Sequence, residues 1–162
     1  MSFSSEVKEE LGKYISRNRH CQIAELAAIL HYQGHLVRRE NGRIQLQIVT
    51  ENATVLRKSF TILNKAFNIE TSEMEKEYLK SHKNSGYTIT LDREEDIMKI
   101  FYGIKLIDQD GVLHDLRDQV NSELIEQYCC RRAFTRGAFL CIGSMSDPMK
   151  GYHLELVCTK KQ

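Results

Sequence analysis

The chain has 162 residues, 41% of them hydrophobic, which suits a globular protein with a buried core. Its 23 lysines and arginines nearly balance its 22 aspartates and glutamates, so net charge alone indicates no acidic or nucleic-acid partner. No apolar run approaches the roughly 20 residues that span a bilayer, and the start lacks signal-peptide features, so we expect a cytoplasmic protein with no membrane partner.

The first predicted elements are two helices. A short amphipathic helix should begin at a cap provided by Ser4 or Ser5 and extend to Tyr14. An apolar helix follows over residues 21–33, and Gly34 should end it with a left-handed cap.

Hairpins and helices alternate after this apolar helix. The Asn41-Gly42 pair is the strongest short sequence signal for a hairpin. Beyond this hairpin, the spacing of apolar residues predicts a helix, a second hairpin and another helix. The predicted elements are strands at 35–40 and 43–50, a helix at 51–67, strands at 69–79 and 87–91, and a helix at 94–107. Together with the apolar helix they form an αββαββα unit.

The chain also contains an internal repeat. Residues 21–34 can be laid over residues 130–143, since each stretch is an apolar helix that opens with Cys, ends at Gly and precedes an alternating strand. The predicted organisation is a lead-in at 1–20, a first repeat at 21–108, a polar connector with an Asp110-Gly111 turn at 109–127, and a shortened second repeat at 128–162.

Small residues recur at helical spacing in both repeat helices. They are Ala24 and Ala28 in one helix, and Ala133, Gly137 and Cys141 in the other. Such residues allow close backbone approach, so the two helices are predicted to pack together about a pseudo-two-fold axis. The alternative is two ordinary core helices in a helix-on-sheet domain.

The five cysteines do not indicate a cofactor. Their number is odd, and adjacent Cys129 and Cys130 suit neither a disulfide framework nor a Cys-x-x-Cys metal site. We expect reduced, buried thiols, with metal or redox roles as the lesser alternative. His31 and His35 have a metal-like spacing, but no neighbouring Cys, Asp or Glu completes a site.

Two nine-residue stretches resemble the LAGLIDADG helix of homing endonucleases in degenerate form: residues 26–34 (LAAILHYQG) and 135–143 (TRGAFLCIG). Longer stretches at 2–11, 129–140 and 143–155 resemble the WhiA family of sporulation and cell-division regulators in Gram-positive bacteria. The resemblance implies an α+β LAGLIDADG homing-endonuclease-like fold and DNA binding. It also implies that this chain is a fragment, because that family continues into a helix-turn-helix domain.

The degenerate motifs argue against an enzyme. A LAGLIDADG nuclease needs a carboxylate at the eighth letter of each motif to hold Mg²⁺, and these letters are Gln33 and Ile142. Asp147 is the nearest downstream carboxylate, but its position before Pro148 predicts a turn residue. We therefore expect no catalytic residues, no metal and no small-molecule substrate.

The remaining function is binding, and strand alternation predicts the residues involved. If Leu46 and Ile48 face the helices, Arg43, Gln45 and Gln47 face outward, where they could contact phosphate and base edges. One of Arg38 and Arg39 should join them. The alternative for each is an ordinary solvent-facing residue.

A second basic group lies at the second repeat helix. Arg131, Arg132 and Arg136 lie in a stretch without acids, whereas residues 92–126 carry ten acids and four bases. These arginines could bind phosphate or pair with acids of residues 108–118, and the sequence favours neither.

The sequence therefore predicts a DNA-binding transcription regulator of sporulation and cell division, nucleoid-associated in the cytoplasm, with double-stranded DNA as partner and no nuclease activity. The alternative is a protein-interaction module that docks a partner transcription regulator or the missing helix-turn-helix domain.

Overall fold

The computed structural model describes residues 2–70 and 86–158. In these residues, the two repeat helices lie parallel to each other and the strands form two antiparallel sheets. The helices are α1 Phe3–Lys13, α2 Arg19–Gln33, α3 Ala53–Phe67, α4 Glu94–Gly103 and α5 Tyr128–Ile142. The strands are β1 Gly34–Arg38, β2 Ile44–Thr50, β3 Tyr87–Leu91, β4 Gly143–Met145 and β5 Leu154–Leu156, with 3-10 turns at Ser122–Ile125 and Pro148–Lys150. The predicted α+β class is confirmed.

The repeat helices α2 and α5 pack against each other as predicted. A Cβ atom added to Gly137 would lie 2.7 Å from the backbone oxygen of Glu25 and 3.1 Å from the Cβ of Ala28. Near the other end of the pair, the side-chain amide of Gln33 donates to the backbone oxygen of Cys141 at 3.4 Å. The helices therefore run side by side in the same direction, and at position 137 only glycine fits beside the Glu25 backbone without a shift of one helix.

Among the described residues, a three-stranded sheet with strand order β1-β2-β3 packs its inner face against α2, α3 and α4. Leu46 lies opposite Leu36 and Leu91, and Ile48 lies opposite Ile89. Leu46, Ile48 and Ile89 are buried in one core with apolar residues of α2, α3 and α4. The predicted inward facing of Leu46 and Ile48 is confirmed.

The hairpin between β1 and β2 turns differently from the two-residue prediction. The Gly42 amide donates to the Arg39 carbonyl at 3.0 Å, and the Arg39 amide donates to the Arg43 carbonyl at 2.7 Å. Gly42 has a φ of 81°, so the turn over residues 39–42 ends in a left-handed glycine, as in a three-residue hairpin loop. Arg38 consequently lies opposite Ile44.

Two helix ends near the first repeat also differ from prediction. Helix α1 is capped by Ser2, whose hydroxyl accepts from the Ser5 amide at 3.1 Å, so Ser4 and Ser5 lie inside the helix. Gly34 is extended, with a φ of −86°, because the chain passes directly from α2 into β1. Glycine is required there because a Cβ would lie 2.5 Å from the Leu30 carbonyl oxygen.

Helix α4 ends at Gly103, short of the predicted end at 107. Lys105 adopts a left-handed φ of 58°, and the Leu106 amide donates to the Phe101 carbonyl at 2.8 Å. This capping motif stops the helix even though the apolar spacing continues. The apolar residues after it join the connector, where Ile107 pairs with Leu113.

The remaining predicted elements agree where the structure describes them. Strand β3 confirms the strand at 87–91, while positions 71–79 of its predicted partner lie outside the described residues. Gly111 has a φ of 79° and its amide donates to the Asp108 carbonyl at 3.0 Å, which confirms the connector turn. Strand β5 confirms the strand predicted after the second repeat helix.

The prediction that the cysteines are buried is wrong for part of the set. Cys21 and Cys130 are buried and Cys141 is partly exposed, but Cys129 and Cys158 are exposed. Both exposed thiols lie at the margins of the fold, at the start of α5 and after β5. Within the described ranges, no helix is long and apolar enough to cross a membrane.

Candidate nucleic-acid interface

The outer face of the three-stranded sheet, which we call the outer sheet face, carries the first group of predicted contact residues. Alternation along β2 buries Leu46 and Ile48 and leaves the Gln45 and Gln47 side chains on the opposite face. The register places His35 beside Gln47 and Val37 beside Gln45 on β1, and Thr88 and Thr90 continue the face on β3. This face is mostly polar and is open to solvent.

Arg39, and not Arg38, joins the outer sheet face. The Arg39 guanidinium donates to the Gln45 side-chain oxygen at 2.6 Å, which holds two predicted contact residues together. Arg38 is exposed but lies opposite Ile44 on the inner face. There it lines a pocket of about 390 Å³ with connector residues that include His114 and Arg117.

Arg43 is exposed at the start of β2, beside the hairpin loop. Its backbone amide donates to the Asn41 side-chain oxygen at 3.0 Å, and alternation with Gln45 and Gln47 assigns Arg43 to the outer sheet face. Arg39, Arg43, Gln45 and Gln47 therefore form one continuous group, although their contact with DNA stays a prediction.

Arg131 and Arg132 lie elsewhere, in the first turns of α5. The Arg131 guanidinium donates to the backbone oxygens of Ile125 at 3.1 Å and Glu126 at 2.8 Å. Both guanidiniums lie near the Tyr128 ring, at 6.0 and 5.8 Å from its centroid. Both sheets begin at the other end of the helix pair, at Gly34 and Gly143, and a rise of about 1.5 Å per residue places Arg132 roughly 16 Å from that end. Arg131 and Arg132 therefore lie at the end of the helix pair opposite to the start of both sheets.

Arg136 is placed in the interface between the two repeats. Its guanidinium donates to Glu25 Oε1 at 3.3 Å and to the Ser16 hydroxyl at 2.9 Å, and it lies 4.6 Å from the centroid of the Tyr14 ring. Its side chain is only 12% exposed. In the described part of the chain, no ion pair joins Arg131, Arg132 or Arg136 to an acid of residues 108–118. The pairing that the sequence suggested is therefore not found, and Glu25 of the first repeat is the partner of Arg136.

Glu25 also holds a buried lysine that the sequence reasoning missed. Lys58 Nζ lies 2.7 Å from Glu25 Oε2 and donates to the Leu11 backbone oxygen at 2.7 Å, with both charged side chains at most 1% exposed. Burial lowers the pKa of Lys58, and the adjacent Glu25 carboxylate opposes that change. In the sequence, this pair is indicated only by an acidic residue within the apolar α2 helix and a basic residue on the apolar face of α3.

The C-terminal ends of α2 and α5 lack the carboxylates of a nuclease. Gln33 Oε1 is buried without a hydrogen-bond partner among the described residues, and the Ile142 side chain carries no oxygen. Asp147 caps the 3-10 turn through a 2.9 Å bond from the Met149 amide, which confirms its turn role. His31 Nδ1 lies 3.0 Å from the Leu116 backbone oxygen, so this ring has a protein partner. These residues form no acidic pair that could hold two Mg²⁺ ions.

Two family models match this chain. The model described as the WhiA N-terminal LAGLIDADG-like domain matches residues 19–107, and the model described as the WhiA LAGLIDADG-like domain matches residues 131–162. The first match alone covers more than half of the chain.

Curated relatives are similar over nearly the whole chain. The probable cell division protein WhiA of Lachnoclostridium phytofermentans is 40% identical in an alignment of 161 residues that covers 97% of this chain and 50% of that protein. The protein of the same name from Lachnospira eligens is 41% identical in an alignment of 158 residues that covers 98% of this chain and 49% of that protein. The chain thus spans about half the length of the curated relatives it matches.

Solved structures show the same fold. The crystal structure of full-length WhiA from Thermotoga maritima has a TM-score of 0.59 and 21% identity, over 99% of this chain and 46% of that one. The crystal structure of the WhiA N-terminal LAGLIDADG domain has a TM-score of 0.54 and 20% identity, over 98% of this chain and 68% of that one.

Proposed function

The chain belongs to the WhiA family, and we propose that it is the DNA-binding LAGLIDADG-like part of a transcription regulator, with the outer sheet face against the duplex. The observation that carries this proposal is the Arg39–Gln45 hydrogen bond, which sets a base and an amide side by side on an open face. The opposite face of the same sheet is closed by the core, so the outer sheet face is the side available to a partner.

The residue types on this face suit duplex DNA. Arg39 and Arg43 can donate charge-assisted hydrogen bonds to phosphate oxygens, and such contacts fix position without reading sequence. Gln45 and Gln47 each offer an amide donor and acceptor, the pattern that pairs with a purine edge in the major groove. With two arginines as the main charges, binding should be weak, roughly 10⁻⁴ to 10⁻⁶ M, as for non-specific contacts.

We infer the biological role from the names of the relatives. They are named probable cell division proteins, and the family resemblance adds sporulation and regulation of transcription. We propose the same role for the full protein to which this domain belongs, with the domain acting at the nucleoid beside a helix-turn-helix domain.

We propose further that the domain does not cleave DNA. Paired carboxylates hold the metal ions that activate water in a two-metal nuclease. Gln33 offers one neutral oxygen and Ile142 offers none, so this position cannot assemble the charge that two hard cations require.

A second candidate is a protein-docking role for the same face. Val49 lies on the outer sheet face with 42% of its surface exposed, and Val37 lies on β1 of that face. Together with the nearly neutral net charge of +1, these residues favour a protein partner such as the helix-turn-helix domain or another regulator.

A salt titration distinguishes the two candidates. Duplex binding is measured by fluorescence anisotropy at several salt concentrations for the wild type, for Arg43→Ala and for Lys99→Ala. Lys99 is exposed on α4, which packs against the inner face of the sheet, and serves as a control of equal charge. Loss of one phosphate contact should lower the slope of log affinity against log salt by about one for Arg43→Ala only. If Arg43→Ala leaves the slope unchanged but abolishes association with the helix-turn-helix domain, the face is a docking surface.

A further inference from the structure

Four metal-ligating side chains meet where α2 and α5 begin. They are His20 and Cys21 of the first repeat and Cys129 and Cys130 of the second. One ligand atom of each lies within 4.8 Å of those of the other three, and His20 Nε2 is 3.5 Å from Cys129 Sγ. We call this set the interhelix cluster.

The internal repeat explains how these residues come together. Helix α2 begins at Arg19 and α5 begins at Tyr128, so each ligand pair occupies the second and third positions of its helix. The alignment that places Cys21 over Cys130 also places His20 over Cys129. Because the two helices run in parallel, their equivalent first turns lie side by side. The adjacency of Cys129 and Cys130, which argued against a metal site when they were considered alone, therefore supplies half of a four-ligand set.

We propose that the interhelix cluster binds one zinc ion. Zinc takes four nitrogen and sulfur ligands in a tetrahedron, at about 2.3 Å from sulfur and about 2.0 Å from nitrogen. Ligand atoms in such a tetrahedron are separated by roughly 3.5 to 3.8 Å, as geometry requires at these bond lengths. The 3.5 Å distance between His20 Nε2 and Cys129 Sγ already meets this value. The largest distance between two ligand atoms, at most 4.8 Å, meets it after a side-chain movement of about 1 Å. The cluster holds no oxygen ligand, so Mg²⁺ and Ca²⁺ are disfavoured.

The surroundings favour the charge of this complex. Three thiolates and one Zn²⁺ carry a net charge of −1, and the N-terminal ends of both helices stabilise negative charge. A pocket of about 270 Å³ reaches Cys21 and Cys129 and is also lined by Arg17, Arg132 and Arg136. These bases oppose a free cation but stabilise an anionic zinc–thiolate centre.

The ligand count indicates a structural role. Four protein ligands leave no open position for water or substrate, which is the arrangement of structural zinc sites. The ion would join the first turns of α2 and α5 and so fix the two repeats relative to each other. His20 and Cys129 are exposed, which gives the metal a route of entry.

The test uses the reduced protein and substitutions that spare the core. Metal content is measured by mass spectrometry after purification with added Zn²⁺, and Co²⁺ titration reports thiolate ligation through its absorption bands. The wild type should hold one zinc per chain and show a tetrahedral Co²⁺ spectrum. Cys129→Ser and His20→Ala should lose both signals, while Cys158→Ser, which removes an exposed thiol outside the cluster, should keep them.

Thermal unfolding provides a second readout. A chelator should lower the melting temperature of the wild type and of Cys158→Ser but leave that of Cys129→Ser unchanged. The proposal is overturned if zinc stays well below one per chain, if Cys129→Ser retains the tetrahedral Co²⁺ spectrum, or if Cys158→Ser loses it equally.

Discussion

Lys58 and Glu25 form a buried ion pair, with Nζ 2.7 Å from Oε2, that ties α3 to α2 in the interior of the protein. The same carboxylate reaches Arg136 of α5 through Oε1 at 3.3 Å. The Glu25 side chain of α2 therefore contacts both α3 of the first repeat and α5 of the second repeat. Removal of Lys58 takes from the buried Glu25 carboxylate the closer of these two cationic partners.

We therefore expect Lys58→Met to lower the free energy of unfolding by roughly 3 to 5 kcal/mol. The buried Glu25 carboxylate would keep its ion pair with Arg136 but would lose the shorter ion pair with Lys58. Urea unfolding measures the change, and Arg57→Met on the exposed side of α3 should stay within about 0.5 kcal/mol of the wild type. Equal effects of the two substitutions would show that the pair does not matter to stability.

The close contact between α2 and α5 gives a second prediction. Gly137→Ala places a Cβ 2.7 Å from the Glu25 backbone oxygen, so the helices must separate or bend. We expect a loss of about 1 to 3 kcal/mol from overpacking. Thr135→Ala, at an exposed position of the same helix, is the control for thermal unfolding. If Gly137→Ala has the same melting temperature as Thr135→Ala, the two helices are not in backbone contact.

This contact was accessible from the sequence, whereas other features were not. Small residues at helical spacing predicted that the two repeat helices pack together, because such residues allow close backbone approach, and Gly137 does lie against Ala28. The hairpin turn was predicted one residue out of register, since an Asn-Gly pair serves both two- and three-residue loops and strand twist decides between them. That register determines that Arg39, and not Arg38, lies on the outer sheet face.

The site was less predictable because its partners are distant in sequence. The position of Arg136 depends on Glu25, which lies in the other repeat and on its own resembles an ordinary helix residue. The interhelix cluster is implied by the repeat alignment, but only the parallel helix pair shows that the equivalent turns meet. The DNA contacts of the outer sheet face stay predictions, since alternation fixes which way a side chain faces and not what it binds.

The connector should respond to acid. The backbone amide of Val112 and the ring of His114 both hydrogen-bond to Asp108, and these bonds hold the pKa of its carboxyl below the usual value of 3.8. A lowered pKa contributes stability that is present above pH 3.8 and is lost as the pH falls through the folded-state pKa. Asp108→Ala should therefore be less stable than the wild type near neutral pH, and the difference should shrink below about pH 4.

Unfolding free energies measured from about pH 2 to pH 7 test this, with Asp110→Ala in the same turn as control. A difference between the wild type and Asp108→Ala that stays constant over this range would contradict the proposed role of the ionised carboxylate.

The residues at the eighth position of the two LAGLIDADG-like motifs, Gln33 and Ile142, predict that the domain is not a nuclease. Supercoiled plasmid incubated with Mg²⁺ or Mn²⁺ should remain intact, because neither Gln33 nor Ile142 can supply a metal-binding carboxylate. Gel electrophoresis over several hours measures the outcome. Metal-dependent cleavage that disappears in Gln33→Ala would mean that the domain is an active nuclease.

The position of DNA on the domain is tested most directly by NMR. Backbone and side-chain amide resonances are followed while a short duplex is added at low salt. We expect shifts at Gln45, Gln47 and Thr90 on the outer sheet face, with smaller changes at buried Leu46. Shifts confined to Arg131 and Arg132 at the start of α5, or no shifts while the duplex is in excess, would contradict the assignment of this face to DNA.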